Sequence, residues 1–343
     1  MTLKKFSLDK LPEIIERLKA GQEVFAPVRG KEGVNFQLIT DPNQVTLNFD
    51  NTLLSAKSVF FPPEETLIRF RMGKSSTEVE PVEKNIPERL LFGVRPCDLR
   101  SFEILDKVFG EGEFRDPLYL DRRDKTTIVA YACNQALPTC FCTSLGGSPT
   151  DSRGSDAILY RLDSSVIIKS ITAKGDELLR LISPVVEDAA ADDEASIAQL
   201  EKKAGESVTR SIDISGAAEK LPQIFESGYW KQAAYPCLNC GACTYVCPTC
   251  TCFDIQDESL HGEGSRKKIW DSCMFTDFTL MAGGVNPRTR KEQRLRQRVN
   301  DKFSYRVTNL GITACVGCGR CIRVCPVNID ITALVKGALE VTV

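Results

Sequence analysis

Two stretches of this 343-residue chain repeat one spacing of thiols: Cys237-Leu-Asn-Cys240-Gly-Ala-Cys243-Thr-Tyr-Val-Cys247-Pro248 and Cys315-Val-Gly-Cys318-Gly-Arg-Cys321-Ile-Arg-Val-Cys325-Pro326. Both read CxxCxxCxxxCP. Three thiolates at this spacing can wrap one iron–sulfur cube from a single tight loop, while the fourth turns away to ligate the neighbouring cube. The expected ligation is therefore crossed: Cys237, Cys240 and Cys243 with Cys325 on one [4Fe–4S] cluster, and Cys315, Cys318 and Cys321 with Cys247 on the second. Gly241 and Gly319 leave room for backbone amides near sulfide, and Pro248 and Pro326 fix φ and remove a competing donor. Structural zinc usually shows paired CxxC knuckles, so two complete runs of this form favour cubes.

Seven further cysteines lie outside those runs. Cys97, in Arg95-Pro-Cys-Asp-Leu-Arg100, joins Cys133, Cys140 and Cys142 to make a set of four in the first half of the chain. Each lies at or just beyond an expected strand end, where loops can gather residues distant in sequence. A third [4Fe–4S] cluster is the leading reading of this set, with structural zinc or buried thiols as its alternatives. Cys250, Cys252 and Cys273 are too few to fill a tetrahedral site, and packing or hydrogen bonding beside the cubes is expected of them.

The composition narrows the chemistry further. With 15 cysteines and a single histidine, His261, there is no Cys2His2 zinc finger and no histidine pair for acid–base work. His261 reads as a loop residue. Basic residues (44) nearly balance acidic ones (46), so nothing in the overall charge draws the chain onto nucleic acid. The basic stretch Arg288 to Arg298 lacks aromatic interleaving and reads as charge on an exposed helix or as a surface for an acidic partner. No apolar run is long enough to span a membrane and no signal peptide is apparent, so a cytoplasmic location is expected, where thiols stay reduced. Neither GxGxxG after a strand nor GxxxxGK[ST] occurs, so no flavin or nicotinamide is expected on this chain alone, and no residue is given a catalytic role.

The elements that must position these thiols follow from periodicity. Leu11, Ile14, Ile15 and Leu18 mark a helix within 8–20, and Val24 to Val28 a strand. Thr66 to Phe70, Leu90 to Val94, Thr127 to Tyr131, Ala157 to Tyr160 and Val166 to Ile171 add β character. Asp98 is expected to cap a helix that holds Leu99, Phe102, Leu105 and Val108 on one face. The expected class is α+β: a mixed α/β domain over 1–186, an acidic helical linker over 187–214, and a two-cluster ferredoxin-like domain over 215–343. The linker carries Ile197, Leu200 and Ala204 at helical intervals and is expected to be a solvated connection. The 67 residues between Cys247 and Cys315 are largely polar and basic, which suggests a helix-built cluster module.

The chain resembles the β subunit of cytosolic nickel–iron hydrogenases, or sulfhydrogenases, and the related A subunit of anaerobic sulfite reductase. The likeness covers nearly the whole length. It rests on Phe25-Ala-Pro-Val, Phe60-Phe-Pro-Pro-Glu-Glu, Gly93-Val-Arg-Pro-Cys-Asp, Cys140-Phe-Cys, Cys247-Pro-Thr-Cys-Thr-Cys, the Arg266 to Cys273 segment with its Trp-Asp-Ser-Cys, and Cys315-Val-Gly-Cys-Gly-Arg-Cys. The resemblance implies an electron-transfer subunit with at least two [4Fe–4S] clusters. It also implies partners: a flavin subunit that exchanges hydride with NAD(P)H, and a catalytic subunit with hydrogenase, sulfite-reductase or heterodisulfide-reductase-like chemistry. The expected function is a relay of single electrons between those partners. The alternative is a cluster-bearing reductase subunit that itself reduces a small sulfur or thiol substrate; a zinc-stabilised scaffold is a third class. Arg320 and Arg323 flank Cys321, where their positive charge is expected to raise a cluster's potential.

Overall fold

The computed structural model describes residues 2–82 and 85–342. Its strands are β1 (Leu3–Ser7), β2 (Glu23–Arg29), β3 (Val34–Leu38), β4 (Glu64–Met72), β5 (Thr77–Pro81), β6 (Arg89–Val94), β7 (Thr126–Tyr131), β8 (Ala157–Arg161), β9 (Ser165–Ser170), β10 (Glu187–Asp188), β11 (Phe253–Leu260) and β12 (Glu263–Trp270). Eight of them form one sheet in the order β10-β1-β9-β8-β7-β6-β2-β3. The run β2, β6, β7, β8 is parallel, and antiparallel pairs flank it on both sides.

Buried on both faces, β6 and β7 are apolar almost throughout, as a parallel strand covered by helices requires. Side chains alternate between two cores. Leu90, Phe92, Val129 and Tyr131 face a layer with the helix Leu11–Leu18 and the helix Ala173–Ile182; Leu91, Val94, Ile128 and Ala130 face the other. That second layer holds the helix Pro96–Gly110 and, from the acidic stretch, the helix Ala191–Glu206. Its Ile197, Leu200 and Ala204 are all buried, while Tyr160 donates from its hydroxyl to Glu201 at 3.0 Å. Asp192 and Glu194 lie on the exposed face while buried Asp193 pairs with Lys5, so this helix is solvated on one side and part of the core on the other.

Asp98 does not cap its helix. Arg95 occupies the N-cap and Pro96, with φ preset and no N–H to lose, starts the helix three residues earlier than expected. The Asp98 carboxylate is instead fully buried and taken by Arg320.

The segment between Cys247 and Cys315 also departs from a purely helical reading. It opens with the β11–β12 hairpin, whose two-residue turn is His261-Gly262 with both φ positive, at 51° and 83°. The hairpin pairs through β12 with β4, giving a second sheet in the order β11-β12-β4-β5 that joins strands from both halves of the chain. The helix Lys291–Asn300 and two short helical turns follow. A third core gathers Leu221, Trp230, Leu295, Val299, Phe303 and Val335 from the C-terminal helices, and the cysteine runs pack against it.

Candidate metal centres

Each CxxCxxCxxxCP run winds through left-handed backbone into a single helical turn. Gly241 (φ 73°) precedes Ala242–Tyr245, and Gly319 (φ 70°) precedes Arg320–Arg323. Cys243 and Cys321 take the second position of these turns, and Cys247 and Cys325 follow them. A side chain at Gly241 would begin 2.6 Å from the Phe275 ring, which explains the glycine in steric terms.

The fold gathers the thiols around three cavities. The first is lined by Cys237, Cys240, Cys243 and Cys325. The second is lined by Cys247, Cys315, Cys318 and Cys321. Each run thus sends its fourth cysteine to the other's cavity. The third is lined by Cys97, Cys133, Cys140 and Cys142. It sits beyond the carboxyl ends of the parallel strands β6 and β7, the usual place for a bound group in such a sheet.

The cavities share walls. Cys321 and Arg298 line both the first and the second, and Cys318 lines both the second and the third. The second and third are locked together: the Phe141 amide donates to the Gly317 carbonyl at 2.8 Å, and the Cys140 thiol lies 3.8 Å from the Cys318 carbonyl oxygen. At Gly317 and Gly319 an added Cβ would fall within 2.6 Å of the backbone of residues 139–142, so only glycine allows this approach.

The donor chemistry fits tetranuclear clusters better than single ions. Among the described residues, no three histidine, cysteine or carboxylate side chains converge to single-ion distance. The thiols surround open volumes instead. Burial pushes Cys142 and Cys315 up to about 12 and Cys318 up to about 11, so these thiols stay protonated near neutral pH unless bound iron displaces the proton.

Buried cations stand ready for the negative charge that thiolate ligation would bring. The Lys302 ammonium, 2% exposed, donates to the Thr249 hydroxyl at 2.9 Å and to the Ala314 carbonyl at 3.1 Å. Burial opposes its charge, but Cys247 and Cys250 more than offset this, and its pKa is raised. Arg298, 4% exposed, has its Nε without a partner and lies among Cys243, Cys321, Cys250 and Cys247. The basic stretch is therefore not simply a solvated helix face. Arg294 is buried as well, its guanidinium spent on the carbonyls of Met274, Arg288 and Thr289.

Of the three remaining cysteines, Cys250 lies against Cys247 of the second cavity, and Cys252 and Cys273 lie against each other. The Cys250 thiol hydrogen-bonds with that of Cys247, and Cys252 with Cys273. Buried Lys57 donates to the Cys250 carbonyl at 2.7 Å and stacks 4.2 Å from the Trp270 ring centroid. Lys57 is a contact that sequence reading missed, because nothing local marks a lysine 193 residues from its acceptor as buried. His261 stands exposed at the hairpin tip.

A chain that carries two such runs, each closing the other's cavity, is an iron–sulfur protein of the dicluster type, and the family model for a 4Fe-4S dicluster domain matches residues 236–329. Over 331 residues the sequence is 33% identical to the β subunit of sulfhydrogenase 2 from Pyrococcus furiosus, covering 95% of each chain. The protein belongs to the sulfhydrogenase β-subunit family. No solved structure matches it. Among the described residues no helix is long and apolar enough to cross a membrane.

Proposed function

We propose that this protein is the electron relay of a multisubunit oxidoreductase, passing single electrons between a flavin subunit that serves NAD(P)H and a catalytic subunit. The reading rests above all on the three cavities standing in line with shared walls, at Cys321 between the first and second and at Cys318 between the second and third. Each bound [4Fe–4S] cube supplies a site that takes up and gives back one electron.

This chain's own residues do the rest. Cys237, Cys240, Cys243 and Cys325 hold the first cube, Cys247, Cys315, Cys318 and Cys321 the second, and Cys97, Cys133, Cys140 and Cys142 a third. Arg298 and Lys302 supply fixed positive charge beside the first two. Arg95 does the same for the third, where it partly offsets the effect of burial on Cys133. The interlocked loops at Gly317 and Phe141 hold the spacing between neighbours. Together with the buried surroundings, they leave electron transfer little reorganisation to overcome.

Iron, acid-labile sulfide and zinc per chain, measured on protein purified without oxygen, test the reading. About twelve irons with matching sulfide are expected, at four for each cube. About eight would reduce the relay to its two C-terminal stations, and zinc without sulfide would overturn it. With the clusters in place, NAD(P)H oxidation is expected only after a flavin subunit is added.

A further inference from the structure

Cys240 is the one exposed cysteine among the fifteen, all of which lie within the described residues. The other thiols are half-buried or buried, so the line of cavities meets solvent at this thiol of the first. Around it stand apolar side chains that the fold leaves uncovered: Tyr235 is 81% exposed and Leu238 64%. The loop 276–290 is tied to the same rim at both ends. Phe275 packs under Gly241, and the Lys291 ammonium donates to the carbonyls of Tyr235 at 2.5 Å and Cys237 at 3.5 Å. Within that loop Leu280, Met281 and Val285 are each more than half exposed.

The rim is also basic. Segments 229–240, 274–291 and 326–329 carry Lys231, Arg288, Arg290 and Lys291 against one carboxylate, Asp277. Glu292 pairs with Arg290 at 3.2 Å, which still leaves an excess of positive charge. An apolar centre with a charged border is the arrangement of protein contact surfaces, and its charge selects and steers the partner.

We infer that the Tyr235 to Cys240 rim is the docking face for a redox protein whose contact surface is acidic around an apolar centre. The inference rests on the proposed relay and assigns one of its ends. Contact here brings a partner's redox group against the exposed Cys240 thiolate, the shortest way into the first cube. Complementary charge across such a border speeds association and salt slows it.

The test uses the whole cluster-loaded chain and a reduced acidic [2Fe–2S] ferredoxin as the probe, with a zwitterionic viologen as a reductant indifferent to surface charge. Stopped-flow bleaching of the clusters gives both rate constants. The ferredoxin rate is expected to fall with ionic strength and to drop about tenfold in the double variant Lys231→Glu/Arg290→Glu, and the viologen rate to hold. Tyr235→Ser, which changes no charge, is expected to slow the ferredoxin reaction with its salt dependence intact. A ferredoxin rate indifferent to salt and to charge reversal would overturn the docking assignment. The salt series needs no variant, so it decides the matter even if the substitutions disturb folding. Failure of the viologen to reduce the clusters would instead sink the relay reading itself.

Discussion

Arg320 sets both of its terminal nitrogens on the carboxylate of Asp98, Nη1 to Oδ1 at 2.6 Å and Nη2 to Oδ2 at 2.7 Å, with neither residue exposed to solvent. One belongs to the second thiol run and the other follows Cys97, so the pair bolts the second cavity to the third. The same guanidinium reaches Asn51 and Thr52. Burial alone would lower its pKa, but Asp98, Cys318 and Cys97 carry it upward instead. Because Asp98 cancels much of its charge, Arg320 acts here more as a clamp than as a free positive charge beside a cube. Removing it strands a buried carboxylate, so Arg320→Ala is expected to cost about 3–5 kcal/mol in anaerobic denaturant titration. Arg323→Ala, on an exposed residue of the same turn, serves as control and should leave the midpoint nearly unchanged.

Gly319 tests the interlock independently. Its φ of 70° already disfavours a side chain, by about 1–3 kcal/mol for alanine, and the added Cβ would also meet the Thr139 carbonyl oxygen at 2.4 Å. Gly283 has a comparable φ of 84° with nothing within 4 Å. Gly319→Ala should therefore lose more stability than Gly283→Ala, and the excess measures the contact between the second and third centres. Equal losses in paired thermal melts would mean that the loops are not pressed together as described.

The thiol pair Cys252 and Cys273 makes a pH-dependent prediction. The Cys273 thiol donates to Cys252 and, against the opposing effect of burial, lowers it to about 7. A thiol lowered on folding contributes stability in full above its ordinary pKa, and that share is lost as pH falls through about 7. Alkylation of Cys252 by iodoacetamide, followed by peptide mass mapping, should accordingly reach half its maximal rate near pH 7. Cys273→Ala removes the donor and should move that midpoint upward, toward the ordinary thiol range. A midpoint that stays put would show that Cys273 is not the donor.

How much could be read in advance depended on how local the constraint is. The two CxxCxxCxxxCP runs stand out in sequence because their spacing is short and regular, the form a cube would require of its loop. Strands β6 and β7 were legible for a similar reason, since burial on both faces leaves an unbroken apolar run. By contrast β11 is exposed at every position, so no burial pattern marks Phe253–Leu260 as a strand, and its pairing with Glu263–Trp270 stayed hidden. Arg298 and Lys302 look like surface charge in sequence. Only the approach of thiols from three separate segments gives them a reason to be buried. Asp98 has the residue type of a helix cap, yet the partner that claims it lies 222 residues away.

The set Cys97, Cys133, Cys140 and Cys142 is where spacing says least and the fold says most, and one substitution separates its readings. Cys133 follows β7 by two residues and is half-buried, with its thiol raised by desolvation against the opposing influence of Arg95. If the four hold a cube, Cys133→Ser should lower iron and sulfide by about four each per chain. The paramagnetic signals of the two C-terminal clusters should survive, because none of their eight ligands is touched. If the four are merely packed thiols, the swap exchanges one small side chain for another and leaves the iron count where it was. The third cavity shares Cys318 with the second, so a lost cube should also alter the spin coupling seen by the second cluster while the first, beyond Cys321, is undisturbed. Iron content and spin coupling thus report on the same site by independent routes, and a third station in the line requires both to change.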